Sequence, residues 1–309
     1  MLPDIHEVMP ELEKETILNG VKPFDPLTRL EYFCNKFPLA MQILKIGGVH
    51  PNENTHTTNP YTGKSNDESF TNVGEHCLAV AILANTLALE YQKRKILSPE
   101  EVELITSRAL VHDAGKRFEI MRREAIKEGI IYDAYSPKAY ETIRPLLQAQ
   151  GINSELINYM AEAGKETGHL SLSMFLLLSD GNPSLIHGEL SQKIIHLADD
   201  MTSTNFPLPN EKPLTVYVTP WERMIVSEFS TKYPWMWKEG LAFDNNGNLV
   251  TVKDIATDKS DLRYLRSYAY WQPFVANEIC REIQATIDPT NKQKPEYFIK
   301  DLINSKLIV

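Results

Sequence analysis

Cysteine is scarce in this sequence. Three occur in 309 residues, Cys34, Cys77 and Cys280, far apart and without a CxxC pair. That argues against a disulfide framework and suits a reducing compartment. Positive charge is also short: 32 Lys and Arg against 41 Asp and Glu leave a net charge of −9. Nothing in that balance suggests a broad nucleic-acid-binding surface, although a local basic pocket is compatible with it. Long apolar runs are missing too. Stretches such as LAVAILANTLALEY stop short of the roughly 18 residues that a bilayer requires, and this one carries Asn85. The acidic opening MLPDIHEVMPELEKE lacks the apolar centre of a signal peptide. The expectation is a soluble, cytoplasmic protein with no membrane partner; homo-oligomer formation is left open.

What is present is a composition able to fold. With 42% hydrophobic and 24% charged residues, the chain is long enough for one large domain or two ordinary ones. Most of it reads as helix. Val73, Cys77, Val80, Ala81, Ala84, Leu87, Ala88 and Tyr91 recur at three- and four-residue spacing, which makes one apolar face over about 72–92. Ser98, Pro99 and Glu101 form a capping signal for the next helix, and Thr219, Pro220 and Glu222 repeat it. Further helices are expected over 136–151, 190–201, about 260–287, and from about Pro295. Strand signals are few: LTVYVTP at 214–220, and a hairpin signal in LAFDNNGNLVTVKD at 241–254. The polar stretch 50–70 either covers a site near His76 or is a mobile insertion. The fold class is all-α. A helical core with an N-terminal extension is expected over 1–204. A mostly helical region with a small β-hairpin follows over 205–309, as a separate unit or as part of the same domain. Proline-rich NFPLPNEKP marks the boundary.

Chemistry concentrates in ALVHDAGKRFE, residues 109–119. His112 and Asp113 stand near the end of an apolar helix. His76 lies beside the apolar face of the preceding one. Asp199 and Asp200 follow the apolar run of IIHLADDM. His76, His112, Asp113 and Asp199 are thus placed to converge at one end of a bundle. Two imidazoles and two carboxylates suit a borderline or harder divalent ion: Mn, Fe, Co, Ni, Zn or Mg. Each residue alone has an ordinary packing explanation; the ordered combination is what points to a metal.

The pattern H…HD…D, centred on LVHDAGK and closed by HLADDM, resembles the HD-domain superfamily of metal-dependent phosphohydrolases over roughly residues 70–204. The resemblance implies an all-helical HD-domain bundle over the 1–204 unit, with the metal at its heart. Its ligands would be His76, His112, Asp113 and Asp199. Asp199 matches better than Asp200 because the family's last aspartate typically follows alanine. Lys116 matches the lysine of the family's HD-x-GK form and would lie near substrate phosphate as the catalytic positive group. Arg117 is a second candidate for substrate binding; Arg122 and Arg123 read more simply as a solvated face. Several branches place further histidines between HD and the last aspartate, which makes His169 a candidate catalytic residue. His187 reads as peripheral and His196 as an outer partner of the site.

These readings imply hydrolysis of a phosphate ester of a nucleotide or other small phosphorylated compound, by metal-activated water attack on phosphorus. Two other functions are weighed. A diiron oxygenase of HD type needs two extra histidines, and His169 with His187 or His196 fits that spacing poorly. A ligand-sensing HD module usually loses ligands, and none is lost here. The cyclic-dinucleotide branch drops out for want of a paired histidine and a GYP-type motif. The aromatic stretches YPWMWKEG and YLRSYAYWQPF would either stack a base or form core and interface.

Overall fold

Helix dominates, and several helices start where capping signals stand. A computed structural model describes residues 17, 20–53, 57–58, 65–66, 70–125, 144–145, 147–149, 151–155, 157–158, 188–206, 214–226, 234–243, 249–255 and 267–307. In chain order, β1 (Pro23–Phe24) leads into α1 (Leu30–Lys36) and α2 (Pro38–Gly47). Then come α3 (Thr71–Lys93), α4 (Pro99–Val111), α5 (Lys116–Ala125) and α6 (Leu190–Met201). The strands β2 (Thr202–Phe206) and β3 (Leu214–Tyr217) precede α7 (Pro220–Val226). The pair β4 (Leu241–Phe243) and β5 (Leu249–Thr251) precedes α8 (Tyr268–Ile287) and α9 (Pro295–Lys306).

The expected caps are formed. Glu101 N–H donates to Ser98 Oγ at 3.2 Å, and Ser98 N–H donates to the Glu101 carboxylate at 2.7 Å. Thr219 and Glu222 exchange the same pair of bonds at 2.7 and 3.2 Å. Each box satisfies two backbone donors that a helix start leaves open. The hairpin signal at 241–254 is the antiparallel pair β4–β5, with Ala242 opposite Val250. One difference stands out. The last long helix begins at Tyr268 among the described residues, later than about 260. Of the helix expected over 136–151 only the end is described, where Gly151 takes φ +78°, the left-handed value that closes a helix. Within the polar stretch 50–70, Thr57–Thr58 pairs antiparallel with Ser65–Asn66.

The core is built around α3. Cys77, Leu78, Val80, Ala81, Leu83, Ala84, Leu87 and Ala88 are all fully buried. This helix is long and apolar enough, by length and composition, to cross a membrane. Its neighbours α4 and α6 account for that apolarity by packing on it. One buried cluster runs from Phe33 to Ile303 and so takes residues from both sides of the 204/205 boundary. A three-stranded antiparallel sheet, ordered β1–β3–β2, spans the same boundary. It is pinned to α3 by Tyr217, whose hydroxyl donates to Ala79 O at 2.8 Å and whose ring stacks on Phe24 at 4.6 Å. Since β2 continues α6 directly, the sheet also fixes the end of α6. Among the C-terminal aromatics, Tyr270 and Trp271 take the core alternative and are buried, whereas Trp237 is exposed.

The far end of α3 is tied by charge. Glu90 accepts from Lys93 at 2.7 Å, Arg94 at 3.0 Å and Lys306 of α9, while Arg94 also donates to Ile287 O at 2.5 Å. Burial pushes the Glu90 carboxyl up, but the three cations bring it down to about 2. A carboxylate held there, against 4.5 when free, stabilises the fold fully above about pH 4.5 and loses that contribution as pH falls towards 2. Glu90→Gln should therefore cost up to about 3 kcal/mol at pH 7. Urea unfolding of both proteins at pH 7 and pH 3 checks this, with a narrower gap expected at the lower pH.

Candidate metal centre

Three helix ends meet at one place. His76 lies in the second turn of α3 and Asp199 near the end of α6. His112 caps α4 in helical geometry. Donor atoms of these three residues all fall within 4.8 Å of one another. His76 Nε2 and Asp199 Oδ1 are 3.0 Å apart. Two donors each about 2.1 Å from one ion, at right angles, stand roughly that far apart. His112 Nε2 is 3.9 Å from Asp199 Oδ1, and its ring meets the His76 ring edge-on at 5.4 Å.

The tautomer of His112 follows from its other nitrogen. Nδ1 is 2.7 Å from Ala109 O, and a carbonyl can only accept, so Nδ1 carries the proton. Nε2 is then directed at the cluster with its ring orientation fixed, the arrangement typical of a ligating histidine. The donor set therefore fits a borderline or harder divalent cation.

Beyond Val111 the chain leaves α4. Residues 112–115 form a turn, with Ala114 N–H on Val111 O at 3.0 Å and Lys116 N–H on Asp113 O at 2.9 Å. Lys116 thus opens α5 rather than continuing the helix of His112, and the turn, not helical periodicity, brings it to Asp113. Asp113 Oδ2 lies 3.9 Å from His112 Nε2 and its Oδ1 3.8 Å from Lys116 Nζ. It stands beside the three-residue group rather than within it. The turn nests against α2 through glycine: a Cβ on Gly47 would lie 2.2 Å from Ala114 O. Gly74 does the same for α3, where a Cβ would lie 2.0 Å from Val49 O. Both close approaches require the missing side chain.

Electrostatics sorts the carboxylates. Burial pushes the Asp199 carboxyl up, but the Arg223 guanidinium, the His76 hydrogen bond and the His112 ring hold it well below the usual carboxylate range. Burial likewise opposes Lys116, His112 and His76 at Asp113, and the cations win, so its pKa is lowered. At Asp200 burial wins and the pKa is raised, although His196 and Arg223 pull the other way. The two carboxylates beside His76 and His112 are the ones whose charged form the surroundings favour, as suits metal ligands. The thiol of Cys77, next to His76, is pushed well up by burial and then by Asp113, so it is a neutral packing group.

Other expected residues fall elsewhere. Arg117 is only 3% exposed, set against Gly48 and 5.0 Å from the Phe118 ring centroid, a packing position at odds with direct substrate binding. His196 is buried with Nε2 3.3 Å from Asp200 Oδ2. His169 and His187 lie outside the described residues, as do the side chains of Arg122 and Arg123. Arg223, Gln272 and the glycine pair Gly47–Gly48 have no signal in the sequence that would single them out. A lone arginine after a capping glutamate reads as surface until α7 is seen beside α6.

Residues 73–199 match the family model of the HD domain. No curated protein and no solved structure matches the chain. The matched segment opens just before His76 and closes on Asp199.

Gly47→Ala should displace the turn that carries His112 and Asp113, because a backbone carbonyl cannot swing aside as a side chain can. A loss of about 1–3 kcal/mol is expected, together with weaker Mn²⁺ binding. Thermal melting and calorimetric titration with Mn²⁺ check the two effects separately.

Proposed function

We propose that the protein, whose residues 73–199 match the HD-domain family model, is a metal-dependent phosphohydrolase that cleaves a phosphate ester of a nucleotide or another small phosphorylated compound. The observation that carries this reading is the convergence of His76, His112 and Asp199 within 4.8 Å, with His112 Nε2 directed by the Ala109 hydrogen bond. A divalent ion bound there acidifies water and polarises a phosphoryl oxygen.

The chain supplies the rest. His76, His112 and Asp199 hold the ion, and Asp113, fixed beside His112 by the same turn, completes the set. Lys116 is 19% exposed next to Asp113 and is the cation placed to meet negative charge growing on phosphate oxygens. Arg117 supports this arrangement indirectly, by packing the start of α5 against Gly48. His196 is engaged with Asp200, which weakens the case for an oxygenase that needs it as a ligand.

The test is metal analysis of wild type and His112→Ala, with a hydrolysis screen over nucleotides and sugar phosphates. Wild type should bind a divalent ion and release phosphate from at least one of these. His112→Ala should lose more than the about 10- to 100-fold that removing an outer partner costs. A wild type that binds no divalent metal and hydrolyses nothing overturns the reading. Two irons per chain with oxygen consumption would favour the oxygenase instead.

A further inference from the structure

The HD-matched segment ends at Asp199, yet the contacts of Asp199 do not. Arg223 of α7 reaches α6 with both guanidinium nitrogens. Nη1 is 2.9 Å from Asp200 Oδ1, and Nη2 is 3.5 Å from Asp199 Oδ1. That second oxygen is the one 3.0 Å from His76 Nε2. One carboxylate oxygen is therefore approached by a histidine from α3 and an arginine from α7.

Asp200 is the mount. Its Oδ1 also accepts from Gln272 Nε2 of α8 at 2.8 Å, and its Oδ2 faces His196 at 3.3 Å. With three neighbours and almost no exposure, Asp200 anchors the guanidinium instead of serving as a ligand. The helix that bears Arg223 is itself held from below. Glu222 forms a buried ion pair with Lys300 of α9, at 2.8 and 3.1 Å, while its other contacts close the Thr219 cap. Ion pairs at two successive residues of α7 thus tie it to α9 through Glu222 and to α6 through Arg223.

The fork matters. A planar guanidinium has donors fixed in two directions and can span two adjacent carboxylates, whereas an ammonium is a single point charge. We propose that Arg223 is a positioning residue of the metal centre: braced on Asp200, it sets the orientation of the Asp199 carboxylate, so that the region after residue 204 completes a site that residues 73–199 leave unfinished. The proposal rests on the metal-centre reading. Arg223 is 14% exposed, so it lies at the edge of the site and not in a sealed core.

The test uses the full chain and Mn²⁺ alone, titrated calorimetrically, with thermal melting run in parallel. Wild type should bind and His112→Ala should not; a wild type that takes up no Mn²⁺ overturns the metal reading and this proposal with it. Given binding by wild type, Arg223→Gln should weaken Mn²⁺ affinity about 10- to 100-fold. Arg223→Lys retains the charge but cannot span both carboxylates, so it should fall between the two. If Arg223→Gln does not fold, Arg223→Lys carries the test, with a several-fold loss expected. Affinity within twofold of wild type in whichever variants fold, even with a lowered melting temperature, would show a merely structural ion pair and overturn the proposal.

Discussion

Two neighbouring carboxylates at the buried end of an apolar helix impose the governing constraint. Asp199 and Asp200 sit where burial opposes ionisation, and they repel each other. Charges in such a place must be paired, because an uncompensated one costs several kcal/mol. The structure meets that demand asymmetrically. Asp200 is enclosed by Arg223, Gln272 and His196, whereas Asp199 keeps its contacts with His76 and the edge of Arg223. One aspartate becomes a support and the other a donor. Around this pair, α3 and α7 bring His76 and Arg223 to Asp199 Oδ1, while α7 and α8 bring Arg223 and Gln272 to Asp200 Oδ1.

Close backbone approach is the second condition. The turn that carries His112 and Asp113 lies against α2 only because Gly47 has no side chain, and α3 reaches the segment after α2 only because of Gly74. Helices in ordinary contact stand 8–10 Å apart. These glycines let backbone meet backbone, which draws the histidines of α3 and α4 to a ring separation of 5.4 Å.

Much of this was legible in the chain. Periodicity located α3, capping chemistry located α4 and α7, and alternation around turn residues located the β4–β5 pair. Those signals are local, and local physics produces them. The H…HD…D order also pointed to the metal donors, because His76, His112 and Asp199 each sit at the end or edge of an apolar run. Lys116 reads from the HD-x-GK form as the cation near substrate phosphate, but the turn over 112–115 that sets it beside Asp113 has no local signal. Arg117 reads as a candidate for substrate binding because nothing in KRFEIMRRE reports the approach of Gly48.

By itself, the sequence determined the helical class, the helix starts and the residue types able to hold a divalent ion, since each depends on neighbours within a few positions. Only the tertiary structure decided what Asp200 does, which cation reaches Asp199, and that residues after 204 share the core with those before. Those outcomes depend on contacts between Asp200 and residues 23 and 72 positions away, across helices whose packing no local pattern encodes.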